Sequence, residues 1–143
     1  MASVALIADD VHEWTPEIGK AFDHEAFRPT DADPMPDDWY EREMQRGDLA
    51  ATVWRYEASG KLLAVFLWRI EEIHGKREMV FVAARSLLPW ANMRVPVLSA
   101  MEDYARSLGC VSARVHTSRA KWADWLEGFG YSDREFQLRK ALT

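Results

Sequence analysis

Proton transfer needs a titratable side chain held at the edge of a rigid element, and Glu78, Glu72 and His116 are the candidates in this sequence. Glu78 opens an apolar run, Met79-Val-Phe-Val-Ala-Ala84, and could point into a cleft. His116 lies on the polar side of a second run that begins at Val111, near its end. The ordinary alternatives are a solvated strand-end carboxylate and a packed or exposed imidazole. Arg94 stands beside the start of a helix, where a cation opposes the positive end of the macrodipole unless an anion joins it, and its guanidinium suits a phosphate. Ser118, between a strand and a helix, reads first as an N-cap. The four histidines and the lone Cys110 show no metal-ligand spacing. Asp9-Asp10, Asp37-Asp38 and Glu71-Glu72 are adjacent in sequence, which does not converge carboxylates, so no metal site is expected.

The elements that must position these residues are clearest in the last third. Apolar residues at Val97, Leu98, Met101, Tyr104, Ala105 and Leu108 form a helical stripe that Gly109 closes. Val111, Ala113 and Val115 then face one way and Ser112, Arg114 and His116 the other, as in a strand over Val111 to Thr117. Trp122, Trp125, Leu126 and Phe129 restart the helical period before Gly130-Tyr131. Earlier, Val4 to Ala8 reads as a strand, with Asp9-Asp10 capping a helix from about Val11 to Phe22. The Asp- and Pro-rich stretch Asp23 to Asp38 reads as a loop before a helix of about Asp37 to Arg46. Three strands follow, Ala50 to Tyr56, Leu62 to Glu72 and Arg77 to Ala84, joined by turns at Ser59-Gly60 and His74-Gly75-Lys76 as an antiparallel meander. Phe136 and Leu138 alternate within Arg134 to Leu142, which would add a final strand.

At 143 residues and 48% apolar content, one domain (1–143) with its own core is expected. A single cysteine cannot form an internal disulfide, which fits a reducing, cytoplasmic setting. Neither a signal peptide nor a run of about 18 apolar residues is present, so no membrane partner is expected. A net charge of -5, with Lys and Arg scattered among acids, argues against nucleic acid.

The run Asn92-Met-Arg-Val-Pro-Val-Leu-Ser-Ala-Met-Glu-Asp-Tyr-Ala-Arg-Ser-Leu-Gly109, the strand after it and Trp122-Ala-Asp-Trp-Leu-Glu-Gly-Phe-Gly-Tyr131 resemble the second half of a GNAT acyltransferase. The resemblance extends more loosely over most of the chain. It implies an α+β fold with a mixed, mostly antiparallel central sheet, helices on both faces, and a splay between the fourth and fifth strands. It implies acetyl-CoA in that splay, with the pyrophosphate at Asn92, Met93, Arg94 and Val95, Ser118 as a further cofactor contact, and backbone amides near Phe81, Val82 and Ala83 on the reacting carbonyl. Glu78 or His116 would take a proton from a small-molecule or protein amine that attacks directly.

The chain departs from that pattern in two places. From Lys76 to Leu108 there is no glycine where the phosphates would approach the backbone, and Leu126 stands where many members carry a tyrosine able to protonate the departing thiolate. A narrower resemblance is to small GNAT-like proteins of tailed phages, carried by chain size, His116-Thr-Ser118, Trp125-Leu-Glu-Gly-Phe-Gly130 and Glu135-Phe-Gln-Leu138. Two readings stay open: an acetyl-CoA-dependent N-acyltransferase, and a noncatalytic virion-assembly or host-interaction protein in which Trp90, Met93 and Pro96 close the groove or meet a protein partner. The oligomeric state is left open.

Overall fold

A computed structural model describes residues 5–23, 38–87, 94–117, 119–136, 138, 140 and 142. The elements run β1 (Leu6–Val11), α1 (Pro16–Phe22), α2 (Trp39–Gln45), β2 (Ala50–Tyr56), β3 (Leu62–Ile73), β4 (Lys76–Ser86), α3 (Arg94–Ser107), β5 (Cys110–Val115) and α4 (Ala120–Gly128). The strands form one sheet in the order β1-β2-β3-β4-β5. The first four are antiparallel neighbours, while β5 returns through α3 to lie parallel to β4. The fold is therefore α+β, as expected.

Alternation along β3 divides the core between the two faces of the sheet. Ala64, Phe66 and Trp68 meet α3 through Val97, Leu98, Met101 and Ala105, and α4 through Leu126. Val65 and Leu67 on the opposite face meet Ile18, Ala21 and Phe22 of α1 and Met44 of α2. Helices thus cover both faces. The β3–β4 hairpin turns at His74 (φ 53°) and Gly75 (φ 76°), two left-handed residues in succession, which is the backbone that a tight hairpin with the right-handed strand twist requires.

Three expectations are corrected. β1 begins at Leu6 and runs on through Asp9 and Asp10, which are strand residues rather than caps. Asp10 is held there because Thr52 on β2 donates its hydroxyl to the Asp10 carboxylate at 2.8 Å. The helix expected from Val11 begins at Pro16, where Thr15 caps it by accepting the Ile18 amide at 3.2 Å. The segment from Arg134 carries no strand pairing among its described residues, and Phe136, Leu138 and Leu142 are 83%, 95% and 90% exposed. No helix among the described residues is long and apolar enough to cross a membrane. None of their His, Cys, Asp and Glu side chains gather in threes able to hold a metal ion.

Candidate functional site

The site is built where β4 outruns β5. Between the pairs Leu67↔Ala83 and Trp68↔Phe81 the β3–β4 register shifts, so Val82 is an extra residue on β4, a bulge that bends the strand and raises its twist. On the other side the β4–β5 ladder ends at Phe81↔Val115, with the His116 amide donating to the Phe81 carbonyl at 3.0 Å. Beyond that point β4 continues to Ser86 with β3 alone. Among the described residues no strand pairs with the outer edge of β4 from Val82 onward. The fork is therefore present, and the bulge falls at its apex.

The fork's hinge is rigid. Phe81 is 2% exposed and packs edge-on against Phe66, with ring centroids 5.8 Å apart. Val82 and Ala83 turn toward the α1/α2 face, where Ala83 is buried beside Leu67 and Val65.

On that same face, below the fork, lies a polar cluster. Arg114 of β5 pairs with Glu71 of β3 at 2.6 Å and with Glu78 of β4 at 3.3 Å. Arg69 pairs with Glu71 at 3.0 Å, and Ser112 donates its hydroxyl to Glu78 at 2.8 Å. Glu78 is thus brought to the site and oriented by two partners. Glu72 is not: strand parity puts it on the opposite face, exposed, with Arg77 at 3.6 Å. Desolvation alone would raise the Glu71 carboxyl, but Arg114 and Arg69 outweigh it and hold it below the ordinary range.

His116 follows the last residue of β5, on the parity of Ser112 and Arg114. Desolvation, then the positive charges of Arg114 and Arg69, hold its imidazole below the usual value against the opposing carboxylates Glu71 and Glu135. That shift favours the neutral imidazole, the form able to accept a proton. Arg69, Glu71, Ser112 and Arg114 were not singled out from sequence as site residues. Parity in β3 and β5 was the only signal for them, and it says nothing about which strands become neighbours. Beside this cluster a cavity of about 620 Å³ opens between the end of α2 and β3, with His12, Glu43, Asp48, Arg69 and Glu71 in its wall.

The anion-binding end is occupied differently from the expectation. Arg94 begins α3, but its guanidinium lies over the rings of Trp122 and Trp125 on α4, 5.6 Å from each centroid. Those two indoles are stacked at 5.0 Å, and Phe129 continues the stack at 5.3 Å from Trp125. Among the described residues Arg94 Nε has no hydrogen-bond partner there, although it is buried at a helix start. Val95 beside it is 52% exposed. Asn92, Met93, Trp90 and Ser118 lie outside the described residues. The N-cap position of α4 is Arg119, not Ser118, and the Arg119 amide donates to Thr117 Oγ1 at 3.1 Å. Leu126 is 4% exposed in the core, so its place in α4 is given to packing rather than to proton donation.

No family model matches the chain, and no curated protein matches it. Solved structures do match. A Trypanosoma brucei acetyltransferase superposes with a TM-score of 0.67 at 14% identity, over 96% of this chain and all 100% of its own. A putative acetyl transferase from Pyrococcus furiosus gives 0.66 at 17% identity, over 96% and 100%. The glucosamine-6-phosphate N-acetyltransferase of Arabidopsis thaliana gives 0.59 at 16%, over 95% and 97%. The chain has the GNAT acetyltransferase fold. At these identities the likeness is one of fold, and activity has to be argued from the site.

Proposed function

We propose that this chain is an N-acetyltransferase that moves an acetyl group from acetyl-CoA to an amine by direct attack. The observation that carries this reading is the fork at Phe81↔Val115, with its bulge at Val82 and an uncovered β4 edge. Two parts of the chain support the cofactor reading. The β4 backbone from Val82 onward offers amide donors and carbonyl acceptors to an extended amide chain. The unmet Arg94 Nε at the start of α3, with Val95 beside it, offers a donor to an anion.

Acetyl-CoA supplies, when bound, an acetyl thioester activated for transfer. The protein's part is to polarise and position. Backbone amides near Phe81, Val82 and Ala83 are fixed in place by the buried Phe81, so they need no reorganisation as negative charge develops on a carbonyl oxygen. His116, at the fork's apex with its neutral form favoured, takes the proton from the bound ammonium so that the free amine can attack. Glu78, held by Ser112 and Arg114, is the alternative base, and it fixes the Arg114 charge that keeps His116 neutral. Leu126 has no proton to give, so the protein would offer a departing thiolate no acid at that position. In the wall of the neighbouring cavity Glu43 pairs with Arg46 and Glu71 with Arg69 and Arg114, which makes Asp48 the carboxylate that would meet a cationic amine there.

Isothermal titration with acetyl-CoA and with CoA tests this reading, followed by an amine screen that reads free thiol. Micromolar binding and thiol release support it. No heat and no thermal stabilisation at millimolar ligand end it. They would leave the second reading, a noncatalytic protein-binding or phage-type assembly protein, which the seating of Arg94 on two indoles favours because it fills the anion end with the protein's own side chains.

A further inference from the structure

A second cavity, of about 290 Å³, opens between β1, β2 and α3. Thr52 and Trp54, both buried, form its floor, and Asp10 and Tyr104 stand in its wall. It shares no lining residue with the cavity of about 620 Å³, and β3 stands between its strands and the fork strand β4.

The chemistry of this cavity is one carboxylate among neutral donors and aromatic rings. The Thr52 oxygen accepts from Trp68 Nε1 at 2.9 Å, which leaves its single proton for Asp10 at 2.8 Å. Tyr104, its ring fixed edge-on against Trp68 with centroids 5.7 Å apart, also hydrogen-bonds Asp10. Burial first, and then that hydrogen bond and the Asp10 charge, push the phenol up to about 12, so it stays a donor. The Trp54 indole N–H is taken by Met101 Sδ at 3.4 Å. A carboxylate has about four acceptor positions, so two donors leave Asp10 with capacity that faces the cavity. Other carboxylates of the sheet are matched by cations: Glu17 by Arg55, and Glu71 and Glu78 by Arg114. Among the described residues no cation pairs with Asp10. Thr52 and Tyr104 therefore orient its charge without cancelling it. A metal ion would need several oxygen lone pairs, whereas both hydroxyls here turn their protons to the carboxylate. An organic ammonium needs only the acceptor, and it gains from aromatic walls.

We propose that this cavity is a binding site for a short alkylammonium ion, whose N–H groups meet the Asp10 carboxylate and whose carbon chain lies against Trp54 and Tyr104. The site is separate from the fork, and the inference is independent of acetyl transfer.

The indole N–H signal of Trp54, observed by nitrogen-15 NMR of the full chain, reads this cavity and not the larger one. Titration with n-butylammonium chloride should shift it saturably at millimolar concentration, while n-butanol and sodium butyrate should not. This comparison is made on the parent chain and needs no variant. Asp10→Asn, whose amide oxygen can still accept from Thr52, should weaken the n-butylammonium response by about tenfold or more, as expected for the loss of a charge-assisted hydrogen bond. Asp48→Asn, in the larger cavity, should leave the Trp54 titration unchanged. No saturable shift at Trp54, an equal shift with n-butanol, or an Asp10→Asn chain that binds as tightly as the parent overturns the proposal. A response lost in Asp48→Asn also overturns it, and would place the amine in the other cavity.

Discussion

Arg94 allows the fold and the proposed chemistry to be separated by one substitution. Its guanidinium faces two indoles at 5.6 Å, contacts worth about 0.5–1 kcal/mol each at a partly exposed site. Against them stands a buried Nε with no acceptor, which costs about 1–3 kcal/mol, and a cation at a helix start, unfavourable by about 0.3–1 kcal/mol. The terms nearly cancel. Arg94→Ala should therefore leave thermal stability within about 1 kcal/mol of the parent, or about 3 °C for a chain of this length. The balance changes when a phosphate meets the free donor: a charge-assisted hydrogen bond contributes about 1.5–3 kcal/mol, so the same substitution should weaken acetyl-CoA binding by about 10- to 150-fold. Arg94→Lys, which keeps the charge but not the planar fork, should fall between. Titration calorimetry and a thermal melt on the same three samples read both quantities. An alanine variant that melts far below the parent while binding as tightly would show that Arg94 is only a clamp between α3 and α4, and the phosphate assignment would be wrong.

If His116 is the base, kcat/KM should rise with pH and level off with a midpoint below 6.5, and His116→Gln should remove that limb; a midpoint above 7 would point to another group. The same depressed value has a stability consequence. The unfolded chain binds the proton more readily, so stability should fall as pH drops through the window below 6.5, and urea midpoints of parent and His116→Gln should converge above it. Thr52, 3% exposed, accepts from Trp68 Nε1 at 2.9 Å while donating to Asp10. Thr52→Val strands that indole N–H and should cost about 1–3 kcal/mol in urea denaturation, with Thr52→Ser recovering most of it, whereas a valine variant of parental stability would dissolve the relay. Leu126→Tyr, which places a phenol where related enzymes carry their acid, should lose about 1–3 kcal/mol by overpacking a 4% exposed site and gain no rate; a faster enzyme would mean that α4 faces the thioester after all.

How much of this could be read from the chain depends on the range over which each feature is decided. β2 spans Ala50–Tyr56, as its alternation and flanking turns predict, and the β3–β4 turn falls at His74-Gly75 because two left-handed residues are a local demand. β1 was misplaced since Asp9 and Asp10 look like caps until Thr52, 42 residues away, supplies the hydroxyl that lets Asp10 sit in a strand. The start of α1 was legible in Thr15-Pro16, a cap followed by a residue with a pre-set φ, but the acidic pair upstream competed for the same role.

The site follows the same rule. Glu78 and His116 could be nominated because each ends or begins an apolar run, and strand pairing sets His116 at the fork's apex and Glu78 beside Ser112 below it. The bulge could not, because Val82 sits in an unbroken apolar stretch from Met79 to Ala84, where an extra residue leaves no mark on the pattern. Nor could the Arg114 bridge to Glu71, which spans 43 positions and exists only because β5 returns parallel beside β4. That bridge bears directly on the chemistry. Arg114 pairs with Glu71 and Glu78 and, after desolvation and together with Arg69, lowers His116, so one cation touches two carboxylates and biases an imidazole on the same face. A base candidate chosen on residue type alone would favour the glutamate. The charges around the fork favour the histidine, because Glu78 is already engaged by Ser112 and Arg114 and the imidazole is the group left with a proton-accepting nitrogen at neutral pH.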